Sequence, residues 1–118
     1  MRELQLTGKT AVVTGAARNL GRTFAEALAC AGAKVCVADI DAAGATQTAR
    51  EIAAQYGTQT LSYQVDVSNY EQVQALIQYV VGEFGSLDIC VANAGIFIES
   101  KAEEMAPDTW AKIIAVNQ

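Results

Sequence analysis

Histidine is absent from the 118-residue chain and proline occurs once. Without His, Ser-His-Asp triads, Cys-His pairs and His-containing metal sites are excluded together. Cysteine is sparse: Cys30, Cys36 and Cys90 form an odd set with no CxxC pair. Such a set, each member inside an apolar segment, reads as reduced thiols acting as small hydrophobes. Positive charge is short as well, with 8 Lys and Arg against 13 Asp and Glu and a net charge of −5. That balance disfavours nucleic acid and anionic membrane surfaces, which are held by clustered Lys and Arg. No apolar run is long enough to span a bilayer, and Met1-Arg2-Glu3-Leu4-Gln5 does not open a signal peptide. A cytoplasmic protein is expected. What the chain does have is apolar content, 52% of residues, which excludes intrinsic disorder and suffices for one sizeable core.

Two kinds of segment alternate from Thr10 onward. Thr10–Thr14 is a short β-rich run ending at Gly15, and Leu20, Phe24, Leu28 and Ala31 then recur at helical spacing before Gly32. Val35–Ala38 closes on Asp39. Ala45, Ala49, Ile52, Ala53 and Tyr56 mark a second amphipathic helix, with Gly57 where a C-terminal cap belongs. Leu61–Val65 reads as a third strand. Ser68 and Glu71 have capping-box spacing ahead of a stripe through Val73, Leu76, Ile77, Val80, Val81 and Phe84, which Gly85 ends. Leu87–Ala92 is a fourth strand and a polar stretch follows it. Pro107 suits the first turn of a last helix carrying Trp110, Ile113 and Ile114 on its core face. Strands apolar on both faces, alternating with helices, predict an α/β protein with a doubly wound parallel sheet.

The first strand–helix turn reads Thr14-Gly15-Ala16-Ala17-Arg18-Asn19-Leu20-Gly21. Glycines six apart, after a strand and opening a helix, suit a dinucleotide. They allow a tight turn, close backbone approach to a pyrophosphate, and a helix N-terminus aimed at the anion. Asp39 follows Gly21 by 18 residues at the end of the next strand. A carboxylate there accepts hydrogen bonds from the adenosine ribose hydroxyls and repels a 2′-phosphate, so NAD is expected over NADP. Arg18 puts a basic side chain in the same turn, but the carboxylate beside the ribose should dominate at close range. Gly8-Lys9-Thr10 imitates the tail of a P-loop but leads into a strand instead of leaving one, so it reads as a plain turn.

Thr14-Gly15 through Gly21, Asp66-Val67, Asn93-Ala94-Gly95 and Val116-Asn117 together resemble the short-chain dehydrogenase/reductase family. Position 18 is Arg where the extended branch would carry glycine, so the non-extended branch is the closer likeness. The resemblance implies a Rossmann-like sheet with its first four strands in the order 3-2-1-4. It also implies cofactor contacts from Gly15, Arg18, Asn19, Leu20, Gly21 and Asp39. Asp66 would accept from the adenine amino group and the Val67 backbone would hold the ring edge. Asn93, Ala94 and Gly95 would line the cofactor's central portion, and Asn117 would help position a catalytic lysine through water. Asn19 stands where the family has its middle glycine; Asn tolerates a left-handed backbone, so the turn is expected to survive.

The family's chemistry also uses a Ser, a Tyr acting as acid and base, and a Lys four positions after the Tyr. Tyr56, Tyr63, Tyr70 and Tyr79 are followed four positions on by Thr60, Val67, Gln74 and Glu83, none of them Lys. Residues 1–118 are therefore expected to be the dinucleotide-binding portion of a longer single-domain oxidoreductase, with the fourth strand's edge left unprotected. Two functions follow. The first is an NAD-dependent enzyme acting on a small-molecule alcohol or ketone, a dimer or tetramer when whole. The second is a catalytically inactive nucleotide-binding fragment or interaction module. A methyltransferase on a related fold is weaker, since its cofactor lacks the pyrophosphate that the glycine turn suits.

Overall fold

The protein is described here by a computed structural model covering residues 6–92 and the strand 96–99. Strands and helices alternate as β1 (Thr10–Thr14), α1 (Asn19–Cys30), β2 (Lys34–Asp39), α2 (Ala42–Tyr56), β3 (Thr60–Gln64), α3 (Tyr70–Phe84) and β4 (Ile89–Ala92), followed by β5 (Ile96–Glu99). Gly8-Lys9-Thr10 is a turn running into β1, as its placement before a strand predicts.

β1 pairs with β2 and β4, and β2 with β3, all parallel, so the four strands lie in the order 3-2-1-4. β1, β2 and β4 bury both faces, which explains why their sequences are apolar runs without alternation, whereas β3 at the sheet's edge is only half-buried. Ala11 and Val13 of β1, Val35 and Val37 of β2, and Ile89 and Val91 of β4 pack under α1 and α2 through Ala25, Leu28, Ala29, Ala49 and Ile52. The intervening residues Val12, Cys36, Ala38, Cys90 and Ala92 pack under α3 through Val73, Leu76 and Val80. Helices on both faces of one sheet make the architecture doubly wound.

Helix ends follow local chemistry. α2 and α3 stop at Gly57 and Gly85, whose φ of +70° and +87° give left-handed caps that few other residues adopt cheaply. The α3 start differs from the sequence expectation by one residue. The Asn69 side chain, not Ser68, accepts the Gln72 amide, while Gln72 Oε1 reaches back to the Asp66 amide at 2.8 Å. Ser68 is turned away because its hydroxyl and amide both bond to Asp66 Oδ1. Leu20 also departs from the helical stripe it was expected to share. It is 56% exposed, and the residues of α1 that do reach the core are Gly21, Ala25, Leu28 and Ala29. Cys30 is exposed at the end of α1, whereas Cys36 and Cys90 are buried as expected.

The edge of β4 is not bare. β5 runs antiparallel to it in the register Ile89↔Glu99 to Ala92↔Ile96. Ile96-Phe97-Ile98 is a β-favouring sequence, so the expected polar stretch instead begins with a strand. The physical reason is the row of amides and carbonyls that β4 would otherwise leave unpaired. The expected last helix lies outside the described residues. Among the described residues no helix is long and apolar enough to cross a membrane.

Candidate cofactor site

The site is built where β1 gives way to α1, at the carboxyl ends of the parallel strands. The turn between them is held from three directions. The Ala16 amide donates to the Ala38 carbonyl at 3.1 Å, and the Ala17 amide donates to Asp39 Oδ2 at 3.0 Å. From α2, the buried Thr48 hydroxyl donates to the Ala17 carbonyl at 2.7 Å. Gly21 presses its α-carbon against the turn so closely that a Cβ there would stand 2.0 Å from the Gly15 carbonyl oxygen. Between them Asn19 has φ +58°, so the residue in the middle glycine's place does adopt the left-handed backbone expected of Asn.

The three helices among the described residues start differently. Asp41 caps α2 by accepting the Gly44 amide, and Asn69 caps α3. At α1 the N-cap is Arg18, which makes no side-chain capping bond, and no acidic residue sits in the first turn. The first intrahelical bond runs from the Arg22 amide to the Arg18 carbonyl. The amides of Asn19, Leu20 and Gly21 therefore precede the hydrogen-bonded ladder, at the positive end of the helix dipole. A helix start of this kind is ready for an anion.

Beside the turn lies a cleft of about 320 Å³ lined by Thr14, Gly15, Asp39, Ile40, Val65, Asp66 and Val67, the ends of β1, β2 and β3. Asp39 accepts the Ala17 amide on Oδ2 and the Asp41 amide on Oδ1. A carboxylate offers about four acceptor positions, so two bonds spent on orientation leave capacity for a pair of hydroxyls. Ile40, 65% exposed, gives the cleft a flat apolar wall. Asp66 receives the hydroxyl and the amide of Ser68, and these two bonds, the hydroxyl's first, hold its carboxyl below the usual range. Asp41 is likewise held low by the Gly44 amide and then by the Arg18 guanidinium.

Gly15, Arg18, Asn19, Leu20, Gly21, Asp39, Asp66 and Val67 are thus gathered around one turn and one cleft. Asn93, Ala94, Gly95 and Asn117 lie outside the described residues. Three residues of the same region are not signalled by any motif: Thr48, which pins the turn from α2; Ile40, the exposed wall; and Asp41, which joins Arg18. Only Asp41 leaves a trace in sequence, as a capping residue before an Ala-rich helix. Taken together, the residues present fit a dinucleotide: amides at a helix start for a pyrophosphate, an oriented carboxylate for ribose hydroxyls, and an apolar cleft for a base.

The short chain dehydrogenase family model matches residues 9–118. A short chain dehydrogenase/reductase of Aspergillus oryzae is 42% identical over 116 residues, covering 98% of this chain and 44% of that protein. L-sorbose reductase of Gluconobacter frateurii, solved with NADPH and L-sorbose, superposes with a TM-score of 0.76 at 30% identity, over 98% of this chain and 46% of that one. A short chain dehydrogenase/reductase of Burkholderia phymatum in complex with NAD gives a TM-score of 0.69 at 38% identity, over 76% and 31%. This chain belongs to the short chain dehydrogenase family, whose members are oxidoreductases. It spans less than half the length of the curated relatives it matches.

Proposed function

We propose that this chain forms the dinucleotide-holding part of an oxidoreductase that moves a hydride between NAD(H) and a secondary alcohol or ketone. The observation that carries the proposal is the start of α1, where three amides lie ahead of the helical ladder, no side chain caps them, and the turn before them opens on a cleft containing Asp39. The amides of Asn19, Leu20 and Gly21 would take the pyrophosphate and Asp39 the ribose hydroxyls, while Asp66 and the Val67 backbone would meet the adenine edge. Relatives have been solved with NAD and with NADPH. The preference for NAD rests on Asp39, whose carboxylate would repel a 2′-phosphate at close range.

A small alcohol or ketone substrate is in keeping with the L-sorbose bound by the G. frateurii relative. In the whole protein, proposed to be a cytoplasmic homo-oligomer, Asn93, Ala94 and Gly95 would line the middle of the cofactor and Asn117 would support the catalytic lysine. No Tyr of this chain is followed four positions later by Lys. The chain by itself is therefore proposed to bind the dinucleotide without turning over alcohols. Titrating the purified chain with NADH and with NADPH, then assaying it with NAD and a panel of secondary alcohols, tests each part. NADH should bind more tightly and no NADH should form. Tighter NADPH binding would overturn the assignment of NAD, NADH production would overturn the lack of turnover, and binding of neither would overturn the dinucleotide site.

A further inference from the structure

Arg18 is the single cation in the turn from Thr14 to Gly21, and its guanidinium is taken by the carboxylate of Asp41. That carboxylate is built into place. The Asp41 amide donates to Asp39 Oδ1 at 3.0 Å, and Asp41 Oδ1 accepts the Gly44 amide at 3.0 Å. Gly44 leaves the space it needs, since a Cβ there would lie 2.4 Å from Asp41 Oδ2. On the other side, the backbone next to Arg18 is pinned by the bonds of Ala17 to Asp39 and Thr48.

We propose that Asp41 is a specificity-determining residue: by pairing with Arg18 it withholds the turn's only cation from a ribose 2′-phosphate, and so sets the site against NADP(H). The inference rests on the dinucleotide-binding function proposed above. Asp39, Asp41 and Arg18 together carry one net negative charge where the ribose would lie. A 2′-phosphate, with about two negative charges of its own, meets repulsion and finds the turn's cation already paired. Neutralising Asp41 alone leaves Arg18 opposite Asp39 with no net charge, and frees the guanidinium to turn toward the phosphate. The Arg18 side chain is 62% exposed, so the pair is a surface one whose hold on the guanidinium weakens with salt. Asp41 acts through Arg18 and is a positioning residue, whereas a purely structural Asp41 would be no more than the cap of α2.

Asp41→Asn separates the two roles, because Asn caps a helix as well as Asp does but carries no charge. The ratio of NADPH to NADH dissociation constants, measured on the purified chain at low salt, should fall about tenfold in Asp41→Asn. The change should shrink as salt is raised. Adding Arg18→Gln to Asp41→Asn should return the ratio toward that of the parent chain. Asp41→Ser, which keeps a capping oxygen, should shift the ratio in the same direction and serves if the Asn variant folds poorly. If the parent binds NADH and neither variant moves the ratio by more than about twofold, the inference fails while the proposed function stands. A shift that survives Arg18→Gln would overturn the route through Arg18. Binding of neither dinucleotide by the parent would overturn the proposed function and this inference with it.

Discussion

Gly21→Ala is the substitution on which the geometry of the turn bears most directly. The added methyl carbon would stand 2.0 Å from the Gly15 carbonyl oxygen, 2.7 Å from its carbon and 3.0 Å from the Ala16 α-carbon. All three are backbone atoms, so no rotamer change relieves the overlap. To bring the first contact out to a tolerable ~3 Å, α1 and the turn must separate by about 1 Å. Overpacking that moves backbone costs ~1–3 kcal/mol. At about 4 °C per kcal/mol for a domain of this size, the melting temperature should drop by ~4–12 °C. The same displacement would carry the Asn19, Leu20 and Gly21 amides away from a bound pyrophosphate. Hydrogen bonds of ~2.9 Å do not survive a lengthening of about 1 Å. Losing one charge-assisted bond, at ~1.5–3 kcal/mol, weakens NADH binding at least about tenfold. Gly82→Ala in α3 is the control, because nothing lies within 4 Å of a Cβ there. It should stabilise the chain by ~0.5–1 kcal/mol through the helix preference of Ala over Gly. Thermal unfolding followed by circular dichroism, with NADH titration by fluorescence, reads both. A Gly21→Ala chain that melts with the parent and binds NADH equally well would refute the close packing of α1 on the turn.

Asn19→Gly should leave NADH binding in place and raise stability by up to ~1 kcal/mol, because Gly adopts the left-handed backbone at no steric cost; complete loss of binding would show that the Asn19 side chain is itself required. Asn69→Ala should cost ~1 kcal/mol as the lost cap of α3 in thermal unfolding, while Ser68→Ala should cost less. Ser68→Ala should instead raise the Asp66 pKa, measured by NMR, since the Ser68 hydroxyl is the main cause of its depression. Because Asp66 and Asp41 have lowered folded-state pKa values, their contributions are present above the ordinary Asp range and are lost as pH falls below about 3.8. Burial pushes the Cys36 and Cys90 thiols up to about 12, so a thiolate-directed reagent should label Cys30 alone in the native chain and all three in denaturant. Those raised values protect the fold below about 9, and the protection should be lost as pH climbs toward about 12.

The alternation of strands and helices, the parallel sheet, the glycine caps and the gathering of Gly15, Gly21 and Asp39 were all legible in the chain. Each depends on local chemistry: runs apolar on both faces, 3.6-residue stripes, and glycines placed after helices or strands. Errors fell where two neighbours compete for one role. Ser68 and Asn69 both suit a helix cap, and Asp66 decided the matter by drawing Ser68 to itself. Leu20 has the right spacing for the stripe, yet Gly21 brings the helix onto the turn and Leu20 is left facing solvent. The strand Ile96–Glu99 was hidden because four residues are too few to show a period, and the unpaired edge of β4 supplies the reason they pair.

By itself the sequence determined that an anion-ready helix would follow the first strand and that a carboxylate would close the second, because backbone geometry and short-range capping need no distant partner. Only the tertiary structure decided what those groups do to one another. It brought Thr48 onto Ala17 from 31 residues away, set the Asp39 carboxylate against the Ala17 amide, and joined Arg18 to Asp41. Parallel pairing of β1 with β2 is the physical cause, since it delivers both strand ends, and the residues just beyond them, to the same edge of the sheet.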